Sequence, residues 1–159
     1  MPLVNVKLIE GVFSDEQTPT SRPSPPAPRS AEHAPVAGHR TGLPAPIGPY
    51  SQAVRAGGLL FVSGQPGIDP ATGGVAGDGF GAEARQASKN LETVLQAGGS
   101  RLDLVASTTV LVADLGDFAE LNELYAERFP VEPPARMVMQ VPLPRGLRIS
   151  IGCVAAVEG

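Results

Sequence analysis

The run Pro133-Pro134-Ala135-Arg136-Met137-Val138-Met139-Gln140-Val141 sets one arginine among otherwise apolar and amide side chains. A guanidinium binds carboxylates through two parallel N–H bonds. In these surroundings Arg136 pairs either with a carboxylate of the protein or with an anionic group on a ligand, and spacing alone leaves both open. The run reads as a strand approached through a proline pair. Proline lacks an amide donor and restricts the residue before it, so the pair ends any preceding helix and stiffens the approach. The two-residue period of a strand then puts Arg136, Val138 and Gln140 on one face.

Other chemistries are poorly supplied. Cys153 is the single cysteine, which excludes an intrachain disulfide and a cysteine-based zinc site. His33 and His39 are the only histidines, and both precede the best-patterned part of the chain, so neither a histidine triad nor a metal centre is expected. No cofactor is expected either. Net charge is −4 without a basic stripe, which argues against nucleic acid as a partner. No apolar run approaches the roughly 20 residues needed to cross a membrane, and Met1 to Gln17 lacks a cleavable apolar segment. A cytoplasmic protein is the expectation. At 159 residues the chain suits one domain with a full core.

The elements that must position Arg136 follow from patterning. Met1 to Gly11 alternates as a half-buried strand, and Ser14 with Gln17 forms a capping-box pattern whose helix does not follow. Thr18 to Pro35 holds six prolines, a composition that suits an extended linker rather than a core. This divides the chain into an opening fragment at 1–17, a linker at 18–35 and a domain at 36–159. A short strand over Val36 to Arg40 is weakened by Gly38. Pro44 to Gln52 reads as a rigid loop, and a strand opens over Gln52 to Ala56. Gly57-Gly58 predicts a hairpin returning through Leu59 to Gln65. Pro66 to Gly79 is a loop with turns at Asp69-Pro70 and Gly73-Gly74. Ala84, Ala87, Leu91, Val94 and Leu95 share a helical face that Gly98-Gly99 terminates. Leu104 to Val112 is a strand by propensity. Asp117 and Glu120 form a capping-box pattern before a helix striped by Phe118, Leu121, Leu124, Tyr125 and Phe129. The Arg136 strand comes next, then a turn over Pro142 to Gly146 and a last strand over Leu147 to Val157. The order β-β-β-α-β-α-β-β predicts an α+β domain of two layers, with a mixed sheet and both helices on one face. The other sheet face then needs a cover, and self-association supplies one.

Four ordered stretches carry a resemblance. Ile47-Gly-Pro-Tyr50-Ser-Gln52-Ala, Phe61-Val-Ser63-Gly64-Gln65, Asp117-Phe118 through Asn122 and Tyr125, and Pro134-Ala-Arg136 together resemble the Rid (reactive intermediate deaminase, or YjgF) family over about Leu43 to Val157. The resemblance implies a chorismate-mutase-like fold, a homotrimer and active sites in clefts between subunits. It implies hydrolysis of enamine and imine acids, such as 2-iminobutanoate and 2-iminopropanoate, to 2-keto acids and ammonia. Carried over by position, Arg136 grips the substrate carboxylate, and Tyr50 reaches the site from its loop. Ser63, Gly64 and Gln65 form a turn whose backbone lines the pocket, and Asn122 is a cleft residue on the second helix. Each has a structural alternative: Tyr50 as a sheet-edge cap, Ser63 as a strand-end hydrogen bonder, and Asn122 as a surface polar residue. Tyr125 reads as core, and Cys153 as an inert buried thiol.

Two positions depart from the family pattern. Gly152 stands where the resemblance implies a water-positioning glutamate, and Val138 where it implies a cysteine. Loss of the glutamate removes an obvious general base. Two alternatives follow. One is 2-aminomuconate deaminase, a family branch that works beside 4-oxalocrotonate tautomerase, whose start Met1 to about Glu16 resembles. In the tautomerase family a proline at the place of Pro2 is the base, but here the similarity stops before that family's helix and arginines, so Pro2 reads as part of a detached strand. The other is a trimeric, non-catalytic binder of small carboxylates.

Overall fold

The computed structural model describes residues 33–36, 46 and 48–158. The expected strand over Met1 to Gly11, the turn behind it, the linker up to Glu32, the short strand over Val36 to Arg40 beyond its first residue, and most of the loop ahead of Gly48 lie outside them. One six-stranded sheet runs in the order β1-β2-β3-β6-β4-β5. The strands are β1 (His33–Val36), β2 (Ala53–Ala56), β3 (Leu59–Pro66), β4 (Val105–Val112), β5 (Ala135–Gln140) and β6 (Ile149–Ala156). Only β4 and β5 run parallel, joined by the helical crossover that parallel strands require. The mixed sheet and its two helices match the α+β expectation, with one shift at the start. The first strand among the described residues spans His33–Val36 and pairs with β2, so the sheet takes in His33 to Pro35, which composition assigns to the linker. Pro35 is tolerated there because β1 is an edge strand.

The β2–β3 hairpin turns through Gly57 (φ 57) and Gly58 (φ 75). Two consecutive positive φ values define the tight hairpin turn, and glycine reaches them without steric cost. Helix α1 (Phe80–Ala97) buries Phe80, Ala84, Ala87, Leu91, Val94 and Leu95 against the sheet. At its end Ser100 N–H bonds back to the Leu95 carbonyl at 2.9 Å across Gly99, whose φ is +74. This is the glycine stop the sequence predicts.

Helix α2 (Phe118–Arg128) covers the other end of the sheet through Leu121, Leu124 and Tyr125. Its start differs from the capping-box expectation. A short 3-10 turn over Leu115–Asp117 runs directly into the helix, and Asp114 caps that turn by accepting from Gly116 N–H at 2.7 Å. Asp117 lies at φ −82, ψ 2 rather than in the extended conformation of an N-cap, so its carboxylate caps nothing. Phe118 also departs from the core stripe, with 39% of its surface exposed at the helix start.

Two polar side chains on the inner face of α1 tie the layers together. Glu83, 1% exposed, accepts from the Arg148 and Ile149 amides at 2.8 and 3.2 Å and so fixes the start of β6. Asn90 donates to the carbonyls of Pro66 and Ile68 at 2.9 and 2.8 Å, holding the chain that leaves β3. Both satisfy backbone groups that the sheet does not reach. Gly67 crosses α1 so closely that an added Cβ would run into the Glu83 backbone carbonyl. Gly67→Ala is therefore expected to cost about 1–3 kcal/mol or more by overpacking. At Gly74 the nearest atom to an added Cβ is 3.6 Å away, an ordinary contact. Gly74→Ala should stay within about 0.5 kcal/mol. Urea titration of the two variants checks the contrast.

Candidate functional site

The helices cover one sheet face and leave the other open. Alternation along the strands sends Phe61, Ser63, Thr109, Ser150, Gly152 and Val154 to the open side, around a hollow of about 400 Å³. Leu59, Phe61, Met137 and Met139 are 37%, 45%, 57% and 39% exposed, a density of bare apolar side chains that calls for a cover.

A β-bulge shapes one side of this hollow. Val62 pairs with Cys153 and Gln65 with Ile151, so two residues of β3, Ser63 and Gly64, face the single Gly152. The bulge is locally braced. Ser63 Oγ donates to the Ser51 carbonyl at 2.8 Å, and Ser63 N–H to the Gln52 carbonyl at 2.9 Å. These bonds moor the loop carrying Tyr50, whose side chain is largely exposed. Gln65 is 2% exposed and donates through Nε2 to the Ser63 carbonyl at 2.9 Å. The expected turn at Ser63-Gly64-Gln65 is thus a bulge within a strand. The extra residue rotates Gln65 to the helix side, where its side chain props the bulge from beneath. An added Cβ at Gly152 would lie 3.1 Å from the Val62 carbonyl oxygen and 3.5 Å from the Gly64 nitrogen, directed at the bulge.

Arg136 belongs to a second cluster. It lies on edge strand β5 opposite Thr108 and points to the helix side. Its Nη2 donates to Asn122 Oδ1 at 2.8 Å. Its guanidinium carbon sits 4.6 Å from the Tyr125 ring centroid and 5.8 Å from that of Phe118. Sequence reasoning left open whether this arginine has a carboxylate of its own. Among the described residues it has none: the ion pairs are Arg85–Glu127, Arg101 with Asp103 and Glu158, and Arg128–Glu92. An exposed guanidinium with aromatic walls and an amide brace, but no counter-charge, is suited to an anionic ligand.

Tyr125 is buried core, as its stripe position implied, and its hydroxyl pairs with Thr108 Oγ1 at 2.7 Å. Burial pushes the phenol above its ordinary value, against smaller pulls downward from the Thr108 bond and the Arg136 charge. The alternation of β4 could have flagged Thr108, because a lone hydroxyl on the Val110/Val112 face requires a partner. The helical stripe places Phe118 in the core, whereas its position beside Arg136 follows from the path of the chain through the 3-10 turn into α2.

The two clusters do not meet within one chain. Arg136 and Ser63 stand three strand spacings apart, about 14 Å, and face opposite sides of the sheet.

Residues 41–157 match the family described as endoribonuclease L-PSP, and with this fold, this bulge and this edge arginine the chain belongs to that family, the Rid/YjgF family that its four motifs resemble. Its relatives include the mouse protein named 2-iminobutanoate/2-iminopropanoate deaminase, 47% identical over 116 residues, covering 72% of this chain and 86% of that one. The human protein of the same name is 46% identical over 113 residues, covering 70% and 82%. Among solved structures, the yjgF gene product from E. coli superposes with a TM-score of 0.72 at 36% identity, covering 79% of this chain and 99% of that one.

No group of histidine, cysteine, aspartate and glutamate suited to a metal ion occurs among the described residues. No described helix is long and apolar enough to cross a membrane. Cys153 is buried, and burial pushes its thiol up to about 12. Alkylation requires the thiolate. Iodoacetamide at pH 8 is expected to leave the native protein unmodified over hours and to label Cys153 readily in denaturant, as intact mass will report.

Proposed function

We propose that the protein is an imine deaminase that hydrolyses small 2-imino acids of the 2-iminobutanoate and 2-iminopropanoate kind to 2-keto acids and ammonia. The observation that carries this reading is Arg136, braced by Asn122, walled by aromatic rings and without a carboxylate partner among the described residues. The names of the mouse and human relatives support the choice of substrate. The net charge of −4 weighs against the ribonuclease sense of the family's description.

The reaction asks little of the protein. Arg136 holds the substrate carboxylate, and the protonated C=N carbon is already electrophilic. Water adds to that carbon and loses a proton. The amine of the resulting carbinolamine takes up a proton, its hydroxyl gives one up, and the C=O bond forms as the C–N bond breaks and ammonia leaves with that electron pair. Orientation therefore supplies most of the acceleration. A substrate of a few atoms cannot span from Arg136 to the Ser63–Gly64 bulge in one chain. The working site is a cleft between copies: Arg136 and Asn122 come from one, and Tyr50, Ser63 and Gly64 from the next, with Gln65 supporting the bulge. A homotrimer closed over the open sheet faces satisfies both the site and the exposed apolar patch. Its place of action is the cytoplasm, and the catalytic domain runs from β1 onward, a few residues ahead of the boundary at Val36 expected from composition.

Light scattering after size exclusion should give the trimer mass at micromolar concentration; a stable monomer counts decisively against the shared cleft. Ammonia and keto-acid release from freshly generated 2-iminobutanoate, with 2-aminomuconate as the comparison substrate, tests the activity. Preference for 2-aminomuconate, or carboxylate binding without turnover, would replace the reading. Arg136→Ala removes a charge-assisted contact of about 1.5–3 kcal/mol and should lower kcat/KM by about 10–100-fold. Arg136→Lys should recover little, because it lacks the planar fork.

Gly152 bears on the rate. Without a side chain there, water is held only by backbone and hydroxyl groups of the hollow. Gly152→Glu adds a carboxylate whose Cβ must displace the Val62 carbonyl by a few tenths of an ångström. If it is accommodated, turnover of 2-iminobutanoate should rise by about 10–100-fold, the range of a modest general base. Wild-type turnover equal to that of glutamate-bearing relatives, with no gain in the variant, would mean that water delivery does not limit this enzyme.

A further inference from the structure

An arginine on an exposed edge strand gives up much of its rotamer freedom when it is pinned to a ligand, unless the protein pins it first. Asn122 fixes one nitrogen, Nη2, which sets a position but not the orientation of the guanidinium plane. The guanidinium carbon sits over the Tyr125 ring, 4.6 Å from its centroid, which adds a second point of contact. The ring is itself held from two sides. Its hydroxyl pairs with Thr108 Oγ1 at 2.7 Å, and the Phe129 ring packs on it with centroids 4.7 Å apart. Thr108 is 2% exposed and is the direct β4 neighbour of Arg136 in the sheet. The threonine therefore ties the ring that carries the guanidinium to the backbone beside the arginine's own Cα. Nothing in core packing requires a hydroxyl at either position, since Phe and Val would fill the same volume.

We propose that Tyr125, anchored by Thr108, is a positioning residue that fixes the guanidinium plane of Arg136 and turns the N–H groups not engaged by Asn122 toward the substrate carboxylate. The inference rests on the imine-acid reading above and adds the device that makes an exposed arginine a rigid receptor. Cation–π contact supplies the attraction, and burial of the ring gives that contact its orientation.

The test uses the full chain and four variants, Thr108→Val, Tyr125→Phe, Tyr125→Leu and the double Thr108→Val/Tyr125→Phe. The readouts are KM and kcat for 2-iminobutanoate, the Kd of 2-oxobutanoate by calorimetry, and Tm. Tyr125→Leu should raise KM and Kd together by about 3–10-fold, with kcat within about twofold. Thr108→Val and Tyr125→Phe should each raise both by about 2–3-fold, and the double variant no further, because either change breaks the same bond. A purely structural role predicts the reverse pattern: lower Tm, activity scaling with the folded fraction, and unchanged KM and Kd. That pattern overturns the proposal, and should Tyr125→Leu fail to fold, the two single variants and their double decide it alone. Wild-type protein that neither hydrolyses the imine nor binds 2-oxobutanoate overturns the imine-acid reading and this inference with it. Wild-type activity with unchanged Tyr125 and Thr108 variants overturns this inference alone.

Discussion

Both helices pack on the same side of the sheet, and most features of the protein follow from that asymmetry. Leu60, Val62, Val110, Ile149, Ile151 and Ala155 reach dry surroundings beneath α1 and α2. The alternate residues of the same strands are left bare. Strand period forces this division: each residue added to the core face adds one to the opposite face. The open side therefore carries apolar bulk where a cover is needed and glycine or hydroxyl residues around the bulge. A single strand thus fills the core with one set of side chains and leaves the other on the open face.

The same geometry explains why the arginine and the bulge are built so differently. Ser63 and Gly64 sit in the interior of the sheet, where backbone is held by neighbours on both sides, and a bulge exposes their main chain without loss of order. Arg136 sits on the outermost strand, with a neighbour on one side only. Its orientation must come from side chains, and Asn122, Tyr125 and Phe118 supply it. Rigidity at the bulge is thus a property of the ladder, and rigidity at the arginine is a property of packing against α2.

Much of this was legible in the sequence. Gly57-Gly58, the Pro133-Pro134 approach and the apolar face of α1 act locally, through φ preference, missing donors and helical period, so they could be read without a partner strand. The misreadings share a different origin. The turn expected at Ser63-Gly64-Gln65 is a bulge inside β3, whose one inserted residue sends Gln65 to the face opposite Ser63. Asp117 with Glu120 has the spacing of a capping box, but the 3-10 turn ahead of α2 removes the extended residue such a box needs. Tyr125 was read correctly as core, yet its contact with Arg136 depends on the parallel register that sets Thr108 beside the arginine. Register between strands joined by a crossover is a tertiary fact, and no local pattern encodes it. Glu83 and Asn90 were readable in principle, as polar residues on the buried face of α1, since such groups must serve buried backbone.

The prolines around β5 have a consequence beyond stiffness. An edge strand offers a row of free amides and carbonyls on which another chain can template itself. This one is six residues long, rich in methionine and valine, and bears one charge, the composition of a segment that would seed cross-β stacking if it were longer. Pro133 and Pro134 precede it, and Pro142 and Pro144 follow it. None of the four can donate to an incoming strand, so any intruding ladder is limited to the span between them. Arg136 near the start of that span adds a charge that stacked copies would have to bring together. The strand that carries Arg136 is in this way fenced against its own kind.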